Sequence, residues 1–101
     1  PDSSELSGFQ GPFLVVTIDS SGRMFYESQW IEENELTRKI RKEVEMADDE
    51  DPLKLLVTFD RDLKFSDTIR ITDIARNAGI QEVIWATRPP FYTSDSKQTP
   101  E

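Results

Sequence analysis

Four aspartates in the second half of the chain are the side chains best suited to chemistry. Asp60 and Asp62 are separated by one residue, and Asp67 and Asp73 follow them closely. Such carboxylates can hold a hard cation such as calcium or magnesium, and two of them can act as general acid and base. The spacing is not that of an EF-hand loop, and Arg61 places a counter-charge between the first two. We therefore interpret the group as a polar strand end followed by a helix start, with a cation-dependent hydrolase as the weaker alternative.

Composition excludes most other catalytic chemistry. The 101 residues contain no cysteine and no histidine, so a thiolate nucleophile, an imidazole base and the usual zinc ligands are all missing. The formal net charge is −8, which disfavours nucleic acid because phosphate binding requires a basic surface. The sequence predicts a protein that is not an enzyme, with no cofactor, no metal and no nucleic-acid partner.

Two further features are open to a binding or a structural interpretation. Residues 43–51 contain six acidic side chains and no basic one, so they either dock a basic partner or form a solvated helix end. Trp30 lies beside Tyr26 and Ile31, outside the predicted helices and strands. It is either part of an exposed binding hot spot or packed over the edge of the sheet.

The elements that must position these residues follow from apolar patterning. Strands are predicted over residues 13–19, 23–26, 53–60 and 80–86, with a turn at Gly22 between the first two. Helices are predicted over residues 33–47 and 66–78, the first with an apolar stripe that includes Leu36. Ser66 is the expected N-cap of the second helix, and Gly79 is its expected left-handed C′ residue.

The predicted element order is β-β-α-β-α-β. Two helices need an apolar surface to cover, and one sheet provides it. We expect an α+β fold, a two-layer sandwich with a mixed four- to five-stranded sheet and two helices on one face. Residues 1–12 read as a flexible linker, residues 13–87 as the domain, and residues 88–101 as a C-terminal tail.

An ordered series of residues also resembles the sequence pattern of a known protein family. Residues 55–60 read LLVTFD, and an aromatic residue, a helix and an Ala-Gly-Ile turn follow before the last strand. The positions that match are Gly22, Leu36, Asp60, Phe65, Asp73 and Gly79. In this order and spacing, residues 13–87 resemble the periplasmic domain of the ExbD/TolR family of biopolymer transport proteins. Phe65 stands where the family often has tyrosine, and no Asn-Gly turn follows Tyr26.

The resemblance implies a location and a set of partners. Family members carry a transmembrane helix with a proton-carrying aspartate before this domain, which lies in the periplasm of bacteria and belongs to an inner-membrane complex. They dimerise, associate with an ExbB- or TolQ-like channel protein, and pass the energy of the proton-motive force to a TonB- or TolA-like transducer. Peptidoglycan is a further partner on the TolR side. A stand-alone α+β interaction domain without a membrane partner is the alternative function.

Strand pairing is the mechanism that we expect for partner binding. A mixed sheet leaves main-chain groups unpaired at its edges, and an extended segment can add there. The residues predicted to bind a partner or to form a dimer seam lie in the last strand and the tail: Ile80, Val83, Trp85, Phe91 and Tyr92.

Overall fold

The computed structural model describes residues 11–87 and places them in one α+β unit. The elements are β1 (Phe13–Ile18), β2 (Met24–Tyr26), β3 (Gln29–Ile31), α1 (Glu33–Met46), β4 (Lys54–Phe59), α2 (Phe65–Asn77) and β5 (Val83–Thr87). The strands form a single five-stranded sheet in the order β3-β2-β1-β4-β5. The predicted fold class is confirmed, with one additional strand, so that the element order is β-β-β-α-β-α-β.

The sheet is mixed because its connections are of two kinds. Short turns join β1, β2 and β3, and these strands pair antiparallel. Helix α1 precedes β4 and helix α2 connects β4 to β5. With these longer connections, β1 pairs with β4 and β4 with β5 in parallel. A tight turn can reverse a strand, whereas a parallel connection needs a longer crossover such as a helix.

The additional strand β3 follows a two-residue turn. Tyr26 pairs with Gln29, and the two intervening residues, Glu27 and Ser28, have φ of 55° and 66°. Positive φ at both central positions defines a type I′ turn, which Asn-Gly forms most easily. The prediction that Trp30 lies outside the regular elements is therefore wrong, because a Glu-Ser pair forms this turn without its usual residues.

Both helices cover the same face of the sheet. The buried residues of α1 and α2 share one cluster with alternate residues of the strands. The helix residues in this cluster are Leu36 and Ile40 of α1 and Ile71, Ile74 and Ala75 of α2. Strand residues alternate between faces, so the cluster takes every second residue of the central strands, such as Val16 with Val57.

Gly79 ends α2 as the sequence predicts. Its φ is +100°, a conformation that is unfavourable for residues with a Cβ. The N–H of Gly79 donates to the Arg76 carbonyl at 3.0 Å, and that of Ile80 donates to the Ala75 carbonyl at 2.9 Å. These two bonds form a Schellman motif, which satisfies carbonyls that the helix end would leave unpaired.

The start of α2 differs from the prediction. Lys64, not Ser66, is the N-cap residue, and it makes no side-chain capping bond. The helix therefore begins one residue before the predicted cap, with Phe65 inside it. Ser66 has a helical backbone, whereas an N-cap residue has an extended one.

Candidate functional site

The predicted partner-binding strand lies at an edge of the sheet. β5 pairs with β4 on one side, and no other strand among residues 11–87 lies on its outer side. The Leu55 N–H donates to the Glu82 carbonyl at 3.0 Å, and main-chain groups alternate in direction along a strand. The N–H and C=O groups of Val83, Trp85 and Thr87 therefore point away from β4. This row of main-chain groups is where an extended segment could add.

Ile80 is not part of this edge. The strand begins at Val83 rather than at residue 80, so the predicted boundary is wrong. Ile80 is 4% exposed and packs in the core. Because its N–H closes the Schellman motif on Ala75, its position is determined by the end of α2. Its side chain is too buried to contact a partner.

Trp85 is half-buried and attaches the edge strand to the core. Its ring packs edge-on against Phe59, with 6.3 Å between ring centroids and an angle of 65° between the planes. This geometry is favourable for two aromatic rings. Trp85 therefore holds β5 in place beside β4, and it offers a partner mainly its main-chain groups. Phe91 and Tyr92, the other predicted members of the site, lie outside the described residues.

The aspartates of the alternative cation-site interpretation do not gather into such a site in the part of the chain that the structure describes. Within residues 11–87, no group of three or more acidic side chains is arranged to hold a metal ion. Asp67 is bound to Arg70 at 3.1 Å, whereas Asp73 is exposed on α2 and Asp62 is exposed in the loop before it. Asp67 is thus already paired with a cationic side chain, and Asp62 and Asp73 are exposed on different elements.

Phe65 and Asp73, two of the positions that carry the family likeness, lie on one exposed face of α2. They line a shallow groove of about 320 Å³ together with Ile69 and Arg76. Phe65 is 78% exposed, so the aromatic ring contributes little to the core. Leu36 and Gly79 have structural positions instead, the first buried in the core and the second at the end of α2.

A hydrogen-bonded aspartate at the end of β1 was not identified from the sequence as a site. The Asp19 carboxylate accepts bonds from the N–H groups of Ser21 and Arg23, at 3.0 and 2.9 Å, and from the Arg23 guanidinium at 2.9 Å. Burial alone would raise the pKa of Asp19, but these bonds outweigh it and lower the pKa to about 2. Asp before Ser-Ser-Gly is a typical turn sequence, and this signal could have identified Asp19 as a turn residue.

Arg70 is a second residue that sequence reasoning missed. Its guanidinium contacts Glu33 of α1 at 2.9 Å and Asp67 at 3.1 Å, and it donates to the Gly22 carbonyl at 2.6 Å. The bond to Glu33 is the main cause of a raised Arg70 pKa. One side chain thus joins both helices to the β1–β2 turn. Glu33 is 37 positions away in sequence, so no local pattern indicates this contact.

The face of the sheet opposite the helices is mostly apolar, with Lys54 and a Thr17–Thr58 hydroxyl pair at 2.8 Å as its polar members among the described strands. We call it the open face and define it by the strand residues that alternate away from the core. Val15, Leu56 and Ile84 form one row across three strands, and Phe25 and Trp30 pair in another. Trp30 is 64% exposed. The apolar members of the open face are Phe13, Val15, Phe25, Trp30, Leu56, Ile84 and Ala86.

Comparison of the chain with protein-family models gives no match, and none of the curated proteins matches it. Among residues 11–87, neither helix has the length and apolar character needed to cross a membrane.

Proposed function

We propose that this chain is the periplasmic coupling domain of a proton-motive-force-driven inner-membrane complex of the ExbB–ExbD–TonB or TolQ–TolR–TolA type. In this proposal a membrane helix supplies the proton chemistry, and residues 13–87 transmit its effect to a periplasm-spanning transducer. The transducer acts in outer-membrane transport or in envelope maintenance. The likeness of residues 13–87 to the ExbD/TolR pattern is the reason for naming this class.

The observation that carries the proposal is the outer edge of β5, on which no other strand of residues 11–87 lies. Three residues, Val83, Trp85 and Thr87, direct main-chain groups away from the sheet, as the Glu82 bond to β4 indicates. A partner strand gains main-chain hydrogen bonds there and needs no catalytic group. The same edge could pair with β5 of a second copy, so a homodimer and a transducer complex are both products of one mechanism.

The remaining partners follow from the resemblance. We propose an ExbB- or TolQ-like channel protein as the partner of the membrane helix. Peptidoglycan is a proposed additional ligand for a TolR-like role. A stand-alone interaction domain would use the same β5 edge, so the nature of the preceding segment distinguishes the two functions. A single apolar run of about 20 residues containing one aspartate supports the motor role. Its absence from the gene contradicts that role.

Edge binding is tested by NMR titration with extended peptides from the periplasmic arm of a TonB- or TolA-like transducer. We expect amide shifts along β5 and not along the helices. Thr87→Pro removes one outward N–H, whereas the matched control Thr87→Val retains it. One lost hydrogen bond should weaken peptide binding by about threefold to tenfold for the proline variant alone. Shifts confined to α1 and α2, or equal binding by both variants, would contradict the proposed edge.

A further inference from the structure

The open face is unusually poor in charge for this chain. Charged residues make up 32% of the sequence, yet Lys54 is the one charged residue among the described strand positions that face away from the helices. Trp30, Phe13 and Val15 on this face are 64%, 39% and 40% exposed. In an antiparallel or mixed sheet covered on one side, the solvated side is ordinarily polar. The open face instead has few charged and several aromatic residues, and this composition is typical of the centre of a protein–protein interface.

The exposed apolar area limits the strength of any complex that this face makes. With about 150–250 Å² for a whole aromatic side chain, Trp30 and Phe13 together expose roughly 200 Å². Val15 is 40% exposed, whereas Leu56 at the centre of the face is only 5% exposed. The whole patch is therefore on the order of 300–400 Å², which is within the range of functional patches on monomers. A stable complex usually buries about 800 Å² on each partner. The face therefore suits a weak and reversible contact.

The main-chain hydrogen bonds of the sheet determine the conformation of the occupant. β2, β1 and β4 each have a neighbouring strand on both sides, so the N–H and C=O groups within the paired registers are already used in the sheet. A segment lying on this face must satisfy its own buried main-chain groups. An α-helix does so internally, and two helices already cover the opposite face in this way.

Charge distinguishes a foreign helix from a second copy of the chain. The formal net charge is −8, so two copies repel each other at low ionic strength, where the Debye length reaches about 30 Å. Acidic residues also lie beside the ends of the strands that form the open face: Glu27 after β2, Glu32 after β3 and Glu82 before β5, all exposed. A partner with basic flanks would meet these carboxylates favourably.

We propose that the open face binds an amphipathic α-helix from another polypeptide chain, with basic residues on both sides of its apolar stripe. This site is separate from the β5 edge, because it uses side chains on a sheet face rather than unpaired main-chain groups. It does not depend on the proposed motor role, since an acidic α+β interaction domain of any location could use it.

The test uses two synthetic 18-residue helices with the same leucine stripe, one flanked by lysines and the other by glutamates. Methyl NMR of the protein identifies which face of the sheet binds the helix. Successive residues of β4 lie on opposite faces, so their methyl signals report the two faces separately. We expect the lysine-flanked helix to shift the methyl signals of Val15, Leu56 and Ile84 and to leave those of Leu55 and Val57 nearly unchanged. The glutamate-flanked helix should bind at least tenfold more weakly, and added salt should weaken the lysine-flanked complex.

Matched variants distinguish binding at the open face from nonspecific hydrophobic binding elsewhere on the protein. Trp30→Ser removes an exposed aromatic ring from the open face and should raise the Kd for the lysine-flanked helix at least fivefold. Phe65→Ser removes a more exposed ring from α2 and should leave that Kd within twofold. Equal losses in both variants, equal binding of both helices, or shifts confined to β5 amides would overturn the proposal. Self-association that strengthens with salt and requires Trp30 would also overturn it, and would identify a second copy as the occupant.

Discussion

Replacing Asp19 with asparagine should remove a pH-dependent part of the stability. The carboxylate at the end of β1 accepts hydrogen bonds from Ser21 and Arg23 in the β1–β2 turn. Asparagine retains the shape and one acceptor oxygen, but it loses the negative charge and presents an N–H₂ group. In the Asp19→Asn variant the amide nitrogen, or a less favourable oxygen, then faces the Arg23 guanidinium.

The size of the effect follows from the pKa of Asp19. Its ordinary value is 3.8 and its value in the fold is about 2. At about 1.4 kcal/mol for each pKa unit, the charged form contributes at most about 2.4 kcal/mol. The turn lies at the surface, where solvent screens such interactions, so we expect about 1–2 kcal/mol. Because the folded-state pKa is lowered, this contribution is present above about pH 4 and is lost as the pH falls toward 2.

The measurement is urea unfolding followed by tryptophan fluorescence between pH 2 and pH 6. We expect wild type to exceed Asp19→Asn by about 1–2 kcal/mol in free energy of unfolding at pH 6, and by less than about 0.5 kcal/mol near pH 2. Asp62→Asn is the matched control, since Asp62 is exposed and has no ion pair within residues 11–87. It should change stability by no more than about 0.5 kcal/mol. A wild-type advantage that stays constant down to pH 2 would refute the electrostatic explanation.

Three other variants test local features of the fold. Glu27→Asn combined with Ser28→Gly places residues that tolerate positive φ at the two turn positions where φ is positive. The double variant should therefore be more stable by about 1–2 kcal/mol in urea unfolding. A destabilised variant would contradict the type I′ turn. Gly79→Ala forces a Cβ to φ +100° and to 3.2 Å from a side chain of α1, so thermal unfolding should show a loss of about 1–3 kcal/mol. Arg70→Met removes bonds to three segments and should lose about 1–2 kcal/mol, while the exposed control Arg61→Met stays within about 0.5 kcal/mol.

The predictions that succeeded depend on strong local signals. Gly79 follows an amphipathic segment, and glycine is the residue that a left-handed helix end favours. The strand β4 is continuous in apolar residues, as expected between two neighbouring strands. The predictions that failed concern weak signals. Ser66 resembles an N-cap by type alone, and β3 is three residues long after a turn of unfavourable composition.

The candidate sites also differ in whether local sequence signals could predict them. A β-strand near the C-terminus with unpaired main-chain groups was predicted, and the structure places β5 at an edge within residues 11–87. The inclusion of Ile80 was wrong because the Schellman motif draws this residue into the core. The contacts of Arg70 with Glu33 and Gly22 join segments far apart in sequence, so no local pattern could indicate them.

The sequence by itself determined the α+β class, the positions of the two helices and the absence of cysteine and histidine chemistry. Periodicity and composition are local properties, and each is readable without knowledge of neighbours in space. Only the tertiary structure decided that β3 exists and is an outer strand of the sheet, and which residues of each strand the helices cover. Which side of a strand is covered depends on the packing of elements distant in sequence. The apolar open face therefore became visible only once the helices had been placed.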